Sequence, residues 1–198
     1  MNEERARKLN TCCEIDWSQW VPTMHATLLF VIHDEKILLM RKKRGIGEGK
    51  INGPGGKIDP GESAVECAVR ETAEELMIDV DPDNVEKTGE LFFQFRDGLG
   101  IHCSVFTASG FSGEPEETEE GDPEWFPLDS VPYEKMWADD IHWMPRMLAG
   151  EVFCGQFIFD GDCIVDSVVE FGSVGEANWE DACGTGFPRY AEELERVL

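Results

Sequence analysis

The alternation of apolar and polar residues predicts a β-hairpin near the start of the chain. The segment "HATLLFVIHDEKILLMRKK" contains two apolar runs typical of strands, joined by the turn-like "HDEK". The segment "GIGEGKINGPGGKIDPGE" follows, and its many glycines permit close approach of the backbone to a ligand. We therefore expect a hairpin that leads directly into a ligand-facing loop.

Residues 63–76 carry the clearest helical pattern of the chain. Ser63 and Glu66 match a capping box, which marks a helix start. One side of the helical wheel collects Ala64, Val65, Ala68, Val69, Thr72, Ala73 and Leu76. Another face carries three carboxylates at i, i+3 and i+4, namely Glu71, Glu74 and Glu75. The pattern predicts a helix with one core face and one acidic face available for chemistry.

Further strands and one more helix are predicted downstream. The segments "EKTGELFFQFRDG" and "GIHCSVFTASG" indicate two strands around "RDGLG", and "EWFPL" a shorter one. The segment "MWADDIHWMPRMLAG" predicts a loop that leads into a helix ending at Gly150. We expect "VFCGQFIFDGDCIVDSVVEF" to form a hairpin turning at Asp160 and Gly161, and "YAEELERVL" a short terminal helix.

Length and charge restrict the class of protein. With 198 residues, 41% hydrophobic and 10% aromatic, the chain suits one globular domain with terminal extensions. The net charge of −24 makes the surface repel duplex DNA, RNA tracts and anionic membranes. We expect no nucleic-acid polymer and no membrane as partner, whereas protein partners stay open. We expect a polyanionic ligand to bind this acidic protein only together with cations that neutralise part of its charge.

Basic residues are nevertheless concentrated beside the glycine-rich loop. Between residues 36 and 70, eight basic residues stand against four acidic ones, although the whole protein is strongly acidic. The simpler interpretation of "RKKR" is a solvated strand end, and the alternative is phosphate contact.

Cysteine usage and the N-terminus indicate a cytoplasmic protein. The seven cysteines include no Cys-x-x-Cys pattern and lie mostly in apolar runs, which favours reduced, buried thiols. The start "MNEERARKLN" has no apolar signal region, and the longest apolar runs are far shorter than a membrane span.

The acidic helix is part of a longer motif. The segment "GKIDPGESAVECAVRETAEELMI" resembles the Nudix box, Gly-x5-Glu-x7-Arg-Glu-U-x-Glu-Glu-x-Gly-U with U apolar, at Gly56, Glu62, Arg70, Glu71, Glu74, Glu75 and Ile78. The resemblance implies an α/β Nudix fold, with a mixed β-sheet in an α/β/α sandwich. We expect this domain to cover residues 23–171, with extensions at 1–22 and 172–198.

The motif predicts a metal-dependent hydrolase. Hard divalent cations bind carboxylates together with substrate phosphates, polarise phosphoryl oxygens and activate water. The resemblance implies Mg²⁺, with Mn²⁺ as an alternative, bound by Gly56, Glu71, Glu74, Glu75 and Glu120. It also implies that Arg70 holds the glutamates in place and that Glu75 or Glu120 is the general base. The simpler interpretation of Arg70 is a plain i, i+4 salt bridge to Glu74, and the two roles are compatible.

The resemblance extends to the substrate. The segments "TLLFVIHDEKILLMRKKRGIGEGKINGPGGK", "GELFFQF", "EGDPEWFPLDSVPYEKMWADDIHWMPRML" and "GQFIFDGDCIVDSVVE" are similar to the oxidised purine nucleoside triphosphatases of the family, which cleave 8-oxo-dGTP and 2-hydroxy-dATP. The purine site implied by this similarity consists of Thr27, Lys42, Asn52, Phe93, Trp137, Asp139 and Asp140.

The chemistry of these side chains suits a purine. Asn52 offers both a donor and an acceptor, and two neighbouring carboxylates in a partly buried pocket disfavour double ionisation, so Asp139 or Asp140 can hold a proton. Trp137 offers a stacking face, and Phe93 is a second candidate. The simpler interpretations are that Asp139 and Asp140 are solvated loop acids and that Trp137 and Phe93 pack in the core.

Several positions depart from the family pattern. Met77 replaces the glycine that follows the helix, so we expect the turn to be made differently or the helix to run on. Ile46 and Ile51 replace aromatic residues of the purine site, and Glu120 lies among seven acidic residues between Glu114 and Glu124, a tract whose simpler interpretation is a solvated loop.

The sequence therefore predicts hydrolysis of purine nucleoside triphosphates to monophosphate and pyrophosphate, which sanitises the nucleotide pool. Two alternatives stay open: a Nudix hydrolase of another nucleotide, such as a dinucleotide polyphosphate, ADP-ribose or an undamaged nucleoside triphosphate, and a non-catalytic nucleotide-sensing module.

Overall fold

The computed structural model describes Ala6 and residues 8–173, which form two compact units. The first unit contains the described residues up to His25, together with Thr88–Cys103 and the described residues from Ile141 onward. The second contains Ala26–Lys87 and Ser104–Asp140. Within the described residues, no helix has the length and apolar character needed to cross a membrane. The predicted helix in "YAEELERVL" lies outside the described residues.

The second unit is built around the predicted hairpin. Strand β1 (Met24–His33) and strand β2 (Lys36–Lys42) pair antiparallel, with Val31 opposite Leu38. Asp34 and Glu35 connect them with φ angles of 48° and 59°, the pattern of the type I′ turns that suit two-residue hairpins. Both strands and their connection confirm the prediction.

Strand β2 pairs with two further strands of this unit. It pairs antiparallel with the two-residue strand β3 (Ile51–Asn52) and, along its whole length, with strand β6 (Gly121–Pro127). The glycine-rich loop that joins β2 to β3 is thereby anchored at both ends.

Helix α1 (Ala64–Leu76) is the predicted acidic helix, and its capping box is present. The Ser63 hydroxyl accepts the Glu66 N–H at 3.3 Å, and the Glu66 carboxylate accepts the Ser63 N–H at 2.8 Å. Its apolar face packs in a core with side chains from β1, β2 and strand β5 (Gly100–Ala108), including Leu29, Leu38 and Phe106. Thr72 lies on this buried face, where its hydroxyl donates to the Ala68 carbonyl at 2.8 Å.

The end of α1 differs from the expectation based on the missing glycine. Met77 itself takes the left-handed conformation, with φ 60° and ψ 29°, so the helix ends at Leu76 and the turn has the geometry that a glycine would give. Left-handed backbone is unfavourable for a residue with a Cβ. Met77 is 57% exposed, so its side chain recovers little of that cost by burial.

We therefore expect Met77→Gly to raise the free energy of unfolding by about 1 kcal/mol. Met77→Ala is the matched control, because it removes the same side chain but keeps a Cβ at a positive φ. Urea denaturation of the three proteins measures the difference. Equal stability of the glycine and alanine variants would show that the left-handed conformation carries no measurable strain.

The first unit contains the strand pairing that makes the sheet mixed. Strand β4 (Val85–Phe95) pairs parallel with strand β7 (Glu151–Asp160), so that Gly89 lies opposite Phe153. Strand β7 also pairs antiparallel with strand β8 (Cys163–Ser173).

The hairpin of β7 and β8 confirms one prediction and corrects a detail of it. Asp160 pairs with Cys163, so the turn comprises Gly161 and Asp162 rather than Asp160 and Gly161. Helix α2 (Asp140–Leu148) precedes β7, and Gly150 follows it with a φ of 88°, in agreement with the predicted stop.

The described part of the N-terminal segment packs into the first unit. Trp17 and Trp20 are buried, with ring centroids 6.3 Å and 6.0 Å from that of Phe92. The Arg96 guanidinium donates to the Leu9 carbonyl at 2.6 Å and 3.0 Å. Residues 9–20 thus contribute to the core of this unit.

Candidate active site

Most of the candidate residues belong to the second unit. Its loop from β2 to α1 and helix α1 carry the predicted metal ligands except Glu120, which precedes β6. Trp137 and Asp139 lie just before α2, and Asp140 is the first residue of that helix. Phe93 is the exception: it lies on β4 in the first unit, where its ring packs against Phe157 at 5.7 Å and Phe159 at 6.0 Å.

Glu75 is the most buried of the three helix glutamates. Its side chain is 1% exposed, and its two oxygens accept hydrogen bonds from Nζ of Lys42 at 3.0 Å and from the N–H of Gly55 at 2.8 Å. Burial raises the pKa of Glu75, and the charge of Lys42 opposes that rise. Both carboxylate oxygens of Glu75 therefore already have partners within the same unit, and Glu71 and Glu74 are the more exposed glutamates of the acidic face.

Arg70 connects the loop with the helix glutamates. Its guanidinium forms a fork on Glu62, with Nε–Oε1 at 2.7 Å and Nη2–Oε2 at 2.9 Å. Nη1 donates to Glu71 at 2.8 Å and to Glu74 at 3.2 Å, so the plain i, i+4 pair exists beside the other contacts. The hydrogen bonds from Arg70 lower the pKa of Glu62 to about 2. Glu62 is therefore ionised at neutral pH.

Two glycines bring the loop against strand β1 and helix α1. A Cβ on Gly55 would lie 2.0 Å from the Thr27 carbonyl oxygen, and a Cβ on Gly56 would lie 2.3 Å from Cδ of Glu71. The Gly56 carbonyl accepts the Thr27 N–H at 2.9 Å, and the Thr27 hydroxyl donates to Sγ of Cys67 at 3.4 Å. No side chain larger than hydrogen fits at either glycine without displacing its neighbours.

The acidic tract is bound to the end of β2 rather than only solvated. Lys43 pairs with Glu117 and Arg44 with Glu120, and the Lys43 N–H donates to the Glu120 carbonyl at 2.8 Å. The Arg44 hydrogen bond lowers the pKa of Glu120. Part of "RKKR" therefore binds acidic side chains of the same chain.

The donor chemistry of the helix suits a hard divalent cation. Glu71 presents its carboxylate oxygens beside Gly56, and Glu74 and Glu75 follow about one turn further along α1. Within residues 8–173, no three His, Cys, Asp or Glu side chains converge closely enough to constitute a preformed metal site. The oxygen donors fit a cation that substrate phosphates help to bind.

Among the predicted purine-site residues, Asn52 and Trp137 lie in different segments of the second unit. Asn52 lies on β3, and its side-chain oxygen accepts the Gly53 N–H at 2.9 Å, which leaves its amide NH₂ directed away from that bond. Trp137 is half-buried, and its backbone N–H donates to Oδ2 of Asp140 at 3.0 Å. Ile51 is buried, whereas Ile46 is 51% exposed.

The aspartate pair is buried. Asp139 and Asp140 are 3% and 2% exposed, which excludes the interpretation as solvated loop acids. Burial, followed by the charge of Asp139, raises the pKa of Asp140 well above its ordinary value. Asp140 therefore retains a proton at pH values where an exposed aspartate is ionised.

Two contacts of this site were not predicted from the sequence. Lys42 was predicted as a purine-site residue, and its bond to Glu75 was missed because the two residues are distant in sequence. Nζ of Lys50 lies 4.8 Å from the Trp137 ring centroid, which was also missed. The only available signal for Lys50 was its place at the end of a glycine-rich loop.

These features define a Nudix protein, and the chain belongs to that family: the NUDIX domain matches residues 22–147. The mixed sheet and the two helices are those of the Nudix fold, which confirms the predicted α/β class.

Among relatives, the chain is 42% identical over 144 residues to the oxidized purine nucleoside triphosphate hydrolase of Danio rerio, covering 71% of this chain and 90% of that protein. It is 40% identical over 143 residues to the protein of the same name from Mus musculus, covering 70% and 89%. The crystal structure of a MutT protein from Bacillus halodurans matches with a TM-score of 0.65 and 28% identity, covering 74% of this chain and 97% of that one.

Proposed function

We propose that this protein hydrolyses oxidised purine nucleoside triphosphates, such as 8-oxo-dGTP or 2-hydroxy-dATP, to the monophosphate and pyrophosphate. The observation that carries the proposal is one compact unit that contains both the Nudix glutamates and a buried aspartate pair beside a tryptophan. The similarity to vertebrate hydrolases of that name, over most of their length, supports the same substrate class.

The proposed metal is Mg²⁺, with Mn²⁺ as an alternative, held by Glu71, Glu74, Glu75, Glu120 and the Gly56 carbonyl. When bound, the cation polarises phosphoryl oxygens and neutralises charge that develops on the leaving diphosphate. The Gly56 carbonyl already accepts the Thr27 N–H, and Sγ of Cys67 lies 3.8 Å away as a further donor, so it is the weakest ligand of the set.

Glu75 is the proposed general base. It accepts the proton of the water that attacks the α or β phosphorus, while the bond from that phosphorus to the α–β bridging oxygen breaks, which releases monophosphate and pyrophosphate. A base is most effective when its pKa lies near the working pH, and burial moves the pKa of Glu75 in that direction. Glu120, the alternative base, has its pKa moved the other way by Arg44, so it is the poorer candidate. The roles of Arg70 and Lys42 are to orient the helix glutamates and to hold Glu75.

The purine is proposed to bind between Asn52 and the aspartate pair, with Trp137 stacked on the ring and Thr27 and Lys42 at the wall. A protonated Asp140 presents a donor beside an acceptor, and the Asn52 NH₂ adds a second donor. We further propose that the protein acts in the cytoplasm, on free nucleotides rather than on nucleic-acid polymers.

The experiment is the release of pyrophosphate and monophosphate, with Mg²⁺, from 8-oxo-dGTP, 2-hydroxy-dATP, dGTP and dATP. We expect kcat/KM to favour an oxidised purine by more than about a hundredfold, or about 3 kcal/mol. Comparable rates for all four substrates would retain Nudix hydrolysis and refute the purine site. Binding without products would instead indicate a nucleotide-sensing module.

A further inference from the structure

Lys42 and Lys50 form the base of the glycine-rich loop. The Lys42 N–H donates to the Lys50 carbonyl at 2.9 Å, and the Gly49 N–H donates to the Lys42 carbonyl at 2.8 Å. The two lysines have different side-chain partners: Nζ of Lys42 donates to Glu75, whereas Nζ of Lys50 lies over the Trp137 ring. One closed loop therefore connects the proposed hydrolytic base with the tryptophan.

The Gly47 backbone and Lys50 lie against the Trp137 indole, and Asp140 binds the backbone of Trp137. A Cβ on Gly47 would lie 2.9 Å from Nε1 of Trp137, so the loop backbone approaches the edge of the ring. The φ of 82° at Gly47 is itself a conformation that favours glycine. The backbone N–H of Trp137 donates to the Asp140 carboxylate at 3.0 Å, and the Asp140 N–H donates to the Trp137 carbonyl at 3.2 Å, so these two bonds hold the backbone that carries the ring. Lys50 adds a cation on a face of the ring, 4.8 Å from its centroid.

The Lys50 charge also reaches the aspartate pair. Asp140 interacts electrostatically with Asp139, Tyr133 and Lys50. The negative charge of Asp139 favours the protonated form of Asp140, and the positive charge of Lys50 favours the ionised form. Lys50 thus acts on both the proposed stacking face and the proposed hydrogen-bonding group.

We propose that Lys50 is a positioning residue for the purine, which holds the Trp137 ring in its stacking orientation by a cation–π contact. This inference rests on the proposed function, because it assigns to Lys50 a role at the same purine site. Lys50 acts through Trp137, so its removal weakens purine binding without removing any group that performs the chemistry.

Calorimetric titration with the monophosphate product 8-oxo-dGMP tests the proposal without turnover. We expect Lys50→Met to weaken binding about fivefold. Lys50→Arg should stay within about twofold of the wild type, because a guanidinium also stacks on an indole. Lys36→Met is the charge-matched control: Lys36 is exposed at the start of β2, and its replacement should leave the affinity unchanged.

A double-mutant cycle separates positioning from a general structural role. In a Trp137→Leu background, which keeps apolar volume but removes the ring, Lys50→Met should change the affinity by less than about twofold. An equal loss in both backgrounds, or no loss in the wild-type background, would overturn the proposal.

A parallel titration with dGMP distinguishes failure of the Lys50 proposal from failure of the proposed function. If the wild type binds both monophosphates equally, the proposed selectivity fails, and the cycle is still measured on either ligand. If it binds neither, the purine site and the role of Lys50 both fail, whatever the rate of triphosphate hydrolysis.

Discussion

Glu75→Gln is expected to reduce kcat by about a thousandfold, the middle of the range for loss of a general base. The amide keeps the size of the side chain, and its oxygen can still accept the Gly55 N–H, so the loop should remain in place. What is lost is the negative charge and the ability to take a proton. The KM for the triphosphate should change much less than kcat, because Glu75 acts mainly in the transition state.

The matched control is Glu124→Gln, which removes one carboxylate from an exposed position on β6 in the same unit. It should retain wild-type turnover. Thermal unfolding and titration with 8-oxo-dGMP of both variants check that fold and purine site are intact. If Glu120→Gln lost more activity than Glu75→Gln, Glu120 would be the base. The lowered pKa of Glu120 would then be no argument against that role.

Local sequence signals were sufficient for the elements that position the site. The capping box of Ser63 and Glu66 and the periodicity of the next turns defined α1, and "HDEK" defined the first hairpin. Each depends on residues within a few positions of one another, where backbone propensity and side-chain periodicity act directly.

The features that the sequence did not give depend on residues distant in the chain. The parallel pairing of β4 with β7 and the burial of Glu75 by Lys42 require tertiary contacts that no local pattern encodes. Helical spacing placed Glu75 on the acidic face, but only the folded unit shows that a lysine of β2 covers it. At Met77 a local signal was missing although the structure is present: the chain adopts the left-handed turn without the glycine that usually indicates it.

Asp140 should decide the preference for oxidised purines. Asp140→Ala is expected to reduce the kcat/KM ratio of oxidised to unmodified substrate by about a hundredfold, because the site would lose both a donor and an acceptor. Asp140→Asn keeps a donor and an acceptor, and its oxygen can still accept the backbone N–H of Trp137. The asparagine variant should therefore retain most of the preference, and it also serves as the folding control for the alanine variant.

The pH dependence of that preference follows from the raised pKa of Asp140. The protonated carboxyl group is the form that presents a donor, so the wild-type preference should be full at low pH and decline as pH rises through the raised pKa. Asp140→Asn has no proton to lose at this position and should show no such decline. Asp139→Asn removes the neighbouring charge that favours the protonated form, so its decline should move to lower pH. Measuring the kcat/KM ratio from pH 6 to pH 9 for the three proteins tests these directions, and identical profiles would exclude Asp140 as the titrating group.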